Sequence, residues 1–309
     1  MARLHFLTGG SAATREVANP TLKDRLLAWW HGYHLRSAQD DEPEDAGAGS
    51  AADANRARTG KPIWTATRIE VAESLWGAGF TGPGAETMVP ELVEMLALTS
   101  AKSVLDLSAG LGGACKFMAK EKQAWVDGLE ANPVLAAAGM QRQTKAGLAR
   151  KAPIRPFDPE TFQWPKSVDV VFARESFFTI ADKARLIAVA AAILKPRGQL
   201  LFTDFTLDDG IDLTAWRAGE PIEPRPISAA AWQREIKANR LDLRIVDDRT
   251  EQYRSLITEA LKPFQAHLQA HETDRETLAA VRDEIALWGG RMVALSSGLR
   301  LTRFVALKP

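Results

Sequence analysis

Apolar residues in this chain recur with two periods, and the order in which the periods alternate outlines the architecture. Residues 103–107 (SVLDL), 125–129 (WVDGL), 154–157, 168–172 (VDVVF) and 199–203 (QLLFT) are short apolar runs of the length of buried strands. Between them, residues 66–75, 89–98, 134–148 and 182–194 repeat their apolar positions every three to four residues, which predicts helices. Strand and helix in strict alternation imply an α/β fold with a parallel, doubly wound sheet, whose ligands sit beyond the carboxyl ends of the strands. After residue 206 the alternation stops. Residues 229–239, 251–271 and 276–287 predict helices, while 241–246 and 299–307 predict strands. The expectation is a helical cap over 206–298, with the last two strands completing a seven-stranded sheet. Pro263 should kink or break the longest of those helices.

Ahead of this body, residues 1–19 have no clear period. Leu22, Leu26, Trp29, Trp30 and Tyr33 then fall on one helical face behind a capping pair at Thr21 and Asp24, and the pattern breaks at Gly32. Such a helix could dock back on the main domain or touch a partner or a membrane surface. Residues 37–60 (SAQDDEPEDAGAGSAADANRARTG) lack bulky apolar side chains and read as a disordered acidic tether, because nothing there offsets its ordering entropy. The expected divisions are therefore 1–36, 37–60 and a main globular domain at 61–309.

Composition narrows the function classes. With 46% hydrophobic and 25% charged residues the chain is ordinary globular material. Lys+Arg 39 against Asp+Glu 39 leaves no basic surplus, which disfavours a nucleic-acid substrate. The single cysteine, Cys115, rules out an internal disulfide and a CxxC metal site. No apolar run reaches the ~18 residues of a transmembrane span, and MARLHFLTGG lacks a signal-peptide pattern, so a cytoplasmic location is expected. Nothing in the pattern indicates the oligomeric state.

The candidate chemistry is concentrated at 103–120. The strand 103–107 runs into Ser108-Ala109-Gly110-Leu111-Gly112-Gly113 and then into a helix, an arrangement that brings backbone N–H groups against a polar ligand. A dinucleotide G-x-G-x-x-G is absent, since its third glycine would fall on Cys115; instead a carboxylate, Asp106, stands inside the strand. Val104, Leu105, Asp106, Gly110 and Gly112 resemble motif I of the class I S-adenosyl-L-methionine (SAM)-dependent methyltransferases, with Ser108 in place of the usual first glycine.

That resemblance implies a Rossmann-like sheet, SAM as cofactor and roles for further residues. Glu130, at the end of the second strand, would accept from the ribose hydroxyls, its alternative being a dipole-stabilised acid before a helix. Phe157 and Asp158 resemble the adenine-contacting pair, although Asp-Pro also marks a turn. Arg174 and Glu175, after the fourth strand, lie where the family places its sulfonium and acceptor contacts. The preceding loop, LWGAGFTGPG with Phe80, is similar to that of N-methyltransferases of the phosphoethanolamine and glycine/sarcosine type. The phosphoethanolamine enzymes usually carry a Tyr where Phe80 stands and a His where Thr179 stands, which counts against phosphoethanolamine itself.

A small-molecule methyl acceptor, an amine first, is thus expected. A carboxylate beside it would hold or deprotonate it, and Glu175 and Asp204 are the candidates, with helix capping as the bland alternative. Trp76, Phe80, Phe177 and Phe178 could wall the site or simply pack the core. The rival functions are O-, S- or C-methylation of a small acid or lipid-like molecule, and SAM binding without turnover. His267, His271 and Glu272 lack the rest of a zinc set and read as a solvated face; Cys115 reads as a packing residue.

Overall fold

Successive residues of the short apolar runs are buried on opposite sides, the signature of strands covered on both faces. Val104 and Phe172 belong to one hydrophobic cluster, whereas their chain neighbours Leu105 and Val171 belong to another. The protein is described by a computed structural model covering residues 14–16, 34–36, 53–270 and 274–309. Strands β1 (Thr14–Glu16) and β2 (His34–Arg36) pair in parallel by themselves. The amphipathic stretch at 22–33 and the acidic segment up to residue 52 lie outside the described residues.

The main sheet comprises β3 (Ser103–Asp106), β4 (Trp125–Glu130), β5 (Ile154–Pro156), β6 (Val168–Arg174), β7 (Leu194–Thr206), β8 (Asp242–Asp248) and β9 (Arg300–Leu307). Its order is β5-β4-β3-β6-β7-β9-β8, parallel except for β9, which runs antiparallel to both neighbours. The chain steps outward from β3 to β5 and returns on the other side at β6. The crevice at that reversal, between β3 and β6, is where a doubly wound sheet opens for ligands.

On one side lie α1 (Ala66–Trp76), α2 (Met88–Glu94), α3 (Gly113–Glu121) and α4 (Pro133–Lys145). On the other are α5 (Lys183–Ile193) and α7 (Ala229–Ala238); the short α6 (Thr214–Gly219) precedes α7 in the chain, but its Trp216 is buried in the first side's cluster. Side-chain oxygens cap the helix starts: Asn132 accepts from Val134 and Leu135 N–H, Asp182 from Arg185, and Ser228 from Ala231. In α7, Trp232 and Ile236 are fully buried against Leu186, Phe202 and Phe304, with the two phenyl rings stacked at 4.7 Å. Burying each of these large side chains stabilises by about 1.5–3 kcal/mol.

Three expectations change. The helix α7 packs on the sheet and is not part of the cap, because Trp232 is anchored in the sheet cluster. The cap consists of α6, α8 (Thr250–Ala270) and α9 (Arg275–Ser296), packed on α1. Helix α8 is not broken at Pro263; buried Leu261 and Phe264 hold it on both sides of the proline. Helix α9 extends well past residue 287, since burial of Trp288, Val293 and Leu295 outweighs the ~1 kcal/mol helix cost of each glycine in Gly289-Gly290.

Residues 53–60, read as the end of a tether, are folded onto the body instead. Asn55 Oδ1 accepts from Trp64 N–H at 2.9 Å and from Asn132 Nδ2 at 3.0 Å, and Arg58 N–H donates to Pro221 O at 3.0 Å. Polar side chains that pair with the domain order this segment where apolar burial could not. No described helix is long and apolar enough to cross a membrane. The side chain of His267, and His271 and Glu272 entirely, fall outside the described residues.

Candidate active site

The turn after β3 is built around Asp106. Its side chain is wholly buried: Oδ1 accepts from the Ser108 N–H and hydroxyl, both at 2.9 Å, and Oδ2 accepts from the Cys115 thiol at 3.3 Å. Burial pushes the Asp106 carboxyl above its usual range, and the bonds from Ser108 and Cys115 hold it back. Asp106 therefore shapes the turn from beneath and is not among the residues that line the two cavities opening from it. Ser108 has its own reason to be there: its Oγ also accepts from the Arg174 N–H at 2.8 Å, tying the end of β3 to the end of β6. A glycine could not make that bridge.

Gly110, at φ 52°, offers an open Cα face and donates its N–H to Glu130 Oε2 at 2.8 Å. The other Glu130 oxygen accepts from Asn132 N–H at 2.8 Å. Burial raises the Glu130 pKa, opposed by these two backbone donors. Gly112 faces the opposite way, its carbonyl accepting from Gln143 Nε2 at 2.8 Å, and an added Cβ there would run into Gln143 and Ile154. At Gly113 an added Cβ would lie 2.4 Å from the Phe80 ring and 2.7 Å from Gly79 O. The loop after α1 is pressed there by Glu73, which accepts from Gly79 N–H at 2.7 Å and from Arg142 Nε at 2.9 Å.

Two cavities open from this turn. A smaller one, about 130 Å³, is bounded by Phe80, Thr81, Ser108, Gly110 and Arg174; a larger one, about 960 Å³, runs from Glu130, Phe157 and Asp158 to Ser176, Phe178 and Glu220. Thr81, Glu175 and Arg291 line both. Phe157 is braced edge-on by Phe162 at 5.6 Å. Asp158 lines the cavity but also closes its own turn, accepting from Glu160 N–H at 3.0 Å and Thr161 Oγ1 at 2.8 Å.

Glu175 sits where the cavities meet, at φ 42°, a conformation that a non-glycine residue adopts at a cost of about 1–3 kcal/mol. It is held by three bonds: its N–H to Thr203 O at 2.7 Å, Thr203 Oγ1 to Oε1 at 2.6 Å, and Arg174 Nη2 to Oε2 at 3.1 Å. Asp204 does not join it. That carboxylate is fully buried on the far side of β7, with Oδ1 accepting from Phe178 N–H at 3.1 Å and Oδ2 without a protein partner. Burial pushes its pKa well above the carboxylate range, against the pull of the Lys183 charge. It lies under Phe178 and is not among the residues that line either cavity.

Several site residues carry no local sequence signal. Arg291 of α9 donates through Nε and Nη2 to the two oxygens of Glu220, both at 2.8 Å, and its guanidinium lies 4.7 Å from the Trp288 ring. Burial alone would lower the Arg291 pKa, but the Glu220 charge and hydrogen bonds outweigh it and raise it. Tyr253 and Trp288 complete the cap side of the smaller cavity. The partners are 71 residues apart, so no spacing rule points to the pair.

The arrangement fits a nucleoside ligand with a cationic end. A carboxylate and a phenyl ring wait at the ends of β4 and β5, beside a small-residue turn with an open glycine face. Two buried polar atoms at the cavity walls, Arg174 Nε and Ser176 Oγ, have no protein partner. Fold and site together define a Rossmann-like transferase of the class I methyltransferase type. A family model described as "Methyltransferase domain" matches residues 85–247, and the chain belongs to that family, whose cofactor is SAM.

Among curated relatives, phosphoethanolamine N-methyltransferase 3 of Arabidopsis thaliana is 24% identical over 238 residues, covering 73% of this chain and 46% of the relative. Sarcosine/dimethylglycine N-methyltransferase of Aphanothece halophytica is 36% identical over 104 residues, covering 33% of this chain and 37% of the relative. The chain thus spans less than half the length of these relatives. Among solved structures, a phosphoethanolamine N-methyltransferase 2 of Haemonchus contortus, in complex with phosphomonomethylethanolamine and S-adenosylhomocysteine, superposes with TM-score 0.73 at 20% identity, covering 85% of this chain and 61% of that one. A cyclopropane synthase of Mycobacterium tuberculosis gives 0.66 at 14% identity, covering 85% of this chain and all (100%) of that one. At those identities the structural likeness speaks for the fold.

Proposed function

We propose that this protein transfers a methyl group from SAM to the nitrogen of a small-molecule amine. The observation that carries this reading is Glu175, the carboxylate among the three residues that line both the cavity at the cofactor turn and the larger cavity. When bound, SAM supplies a methyl carbon on a sulfonium: the amine loses one proton, its lone pair forms the N–C bond as the C–S bond breaks, and S-adenosylhomocysteine is left.

The residues divide accordingly. Glu130 and Phe157 are assigned to the ribose and adenine, the Gly110 face and Phe80 to the amino-acid end, and Arg174 to its carboxylate side through the spare Nε. Glu175 orients the amine and accepts or relays its proton. The cap residues Tyr253, Trp288 and Arg291 exclude water and fix the acceptor. Holding two reactants in line can lower a barrier by up to roughly 7–11 kcal/mol, so alignment is the main demand on the fold. Residues 53–309 act as the catalytic unit. The curated N-methyltransferase relatives support the amine reading.

The test is S-adenosylhomocysteine formation across a panel of amines with wild type and Glu175→Gln. The proposal expects turnover to fall at least about a hundredfold in the variant, within the usual reach of a general base, while SAM affinity stays within about threefold. Unchanged turnover in Glu175→Gln would overturn the assignment.

A further inference from the structure

The charge pattern of the two cavities points to a narrower acceptor class. Among the described residues, five carboxylates line them (Glu130, Asp158, Glu160, Glu175 and Glu220), against three guanidinium groups. Each of those guanidiniums already has a carboxylate. Arg68 donates to buried Glu284 at 2.8 Å, Arg174 to Glu175 at 3.1 Å, and Arg291 to both oxygens of Glu220 at 2.8 Å. Among the described residues, no lysine or histidine lines either cavity. A phosphate or carboxylate on the acceptor would have to displace one of these buried pairs, compete with the SAM carboxylate for Arg174 Nε, or enter beside acids without a cation of its own. All three are unfavourable in a desolvated site.

Much of the remaining wall is apolar or aromatic, interspersed with Thr81, Asn132, Ser176 and Thr179. Phe178, Ile180, Ile222 and Leu287 line the larger cavity together with Glu175 and Glu220. Aromatic faces and acids attract an ammonium group, and apolar walls accept a hydrocarbon body. Ser176 Oγ, buried without a protein partner and lining the same cavity, adds one hydrogen-bonding position.

We propose that the acceptor is a cationic amine with an apolar body and no acidic group of its own. This rests on the methyltransferase reading above and departs from the phosphorylated acceptor bound in the Haemonchus structure. Glu220 and Arg291 then act as a specificity device, in which Glu220 cancels the one cap-side cation that an anionic acceptor could use.

The test is calorimetric titration of the full chain, saturated with S-adenosylhomocysteine, with 2-phenylethylamine and n-hexylamine against O-phosphoethanolamine and sarcosine. The proposal expects at least one apolar amine to bind tenfold or more tightly than both compounds that carry an acidic group. Glu220→Gln, which leaves Arg291 without its carboxylate, should narrow that gap at least tenfold; should that variant not fold, the wild-type ranking decides. Binding of O-phosphoethanolamine or sarcosine as tight as that of the apolar amines would overturn the proposal. So would a protein that binds S-adenosylhomocysteine but neither apolar amine, or a gap unchanged in folded Glu220→Gln. Failure to bind S-adenosylhomocysteine at all would instead strike at the methyltransferase reading.

Discussion

Helix α9 carries Trp288 and Arg291 into the site, and one buried carboxylate on it, Glu284, anchors it to α1. Glu284 is fully excluded from solvent and accepts from Arg68 Nε at 2.8 Å and Trp288 Nε1 at 3.0 Å. Arg68 is itself buried and has one further acceptor, Ile63 O at 2.8 Å. Truncation to alanine would leave a guanidinium and an indole N–H in a dry wall. Breaking one side of such a buried pair costs about 3–5 kcal/mol, much of it the desolvation of the partner left behind. The exposed pair Lys122–Glu94 is a control for which only ~0–1 kcal/mol is expected. Urea unfolding followed through the nine tryptophans should give about 3 kcal/mol or more for Glu284→Ala and under about 1 for Glu94→Ala. The double variant Arg68→Met, Glu284→Leu, which removes both charges and keeps volume, should recover most of the loss. A cost below about 1 kcal/mol for Glu284→Ala, or losses that simply add in the double variant, would refute the account of how the cap is held.

Three further outcomes follow from the geometry. Gly113→Ala drives a Cβ into the Phe80 ring and Gly79 O, neither of which can swing away cheaply, so about 1–3 kcal/mol of stability and at least tenfold in S-adenosylhomocysteine affinity should be lost, by unfolding and calorimetry. Ser108→Ala removes the bridge between Asp106 and the Arg174 N–H and should cost about 1–3 kcal/mol, whereas a surface Ser→Ala elsewhere should be nearly silent. Asp204 has a folded-state pKa above its unfolded value near ~3.9, so its proton favours the fold; that contribution is complete below about pH 4 and declines as pH rises through the folded pKa. Asp204→Asn, permanently neutral, should therefore gain stability relative to wild type as pH is raised from 4 to 8, and a flat difference across that range would contradict the assignment.

What the chain revealed in advance was governed by short range. The strand 103–106, its turn and the helix from Gly113 could be read because strand burial, glycine conformations and helix starts are local properties. Glu130, Phe157 and Glu175 were legible for the same reason, since each lies at a strand end that the sheet turns toward the crevice. Orientation was not legible. Asp106 and Asp204 looked like cavity acids, but Asp106 turns under its own loop and Asp204 to the far side of β7, and only the packed sheet decides which face is which. Nor could spacing reveal Arg291 with Glu220 or Arg68 with Glu284, pairs made 71 and 216 residues apart by the docking of the cap. The helix through Pro263 shows tertiary anchoring overriding a local preference.

The central claim is a SAM site centred on Glu130 and the turn at 108–113. Calorimetric titration of wild type and Glu130→Ala with S-adenosylhomocysteine tests it most directly. The account predicts clear binding by wild type and an affinity at least about tenfold weaker in the variant, a loss of ~1.4 kcal/mol or more. Equal affinities would remove Glu130 from the site, and a wild-type protein that binds neither S-adenosylhomocysteine nor SAM would contradict the account as a whole.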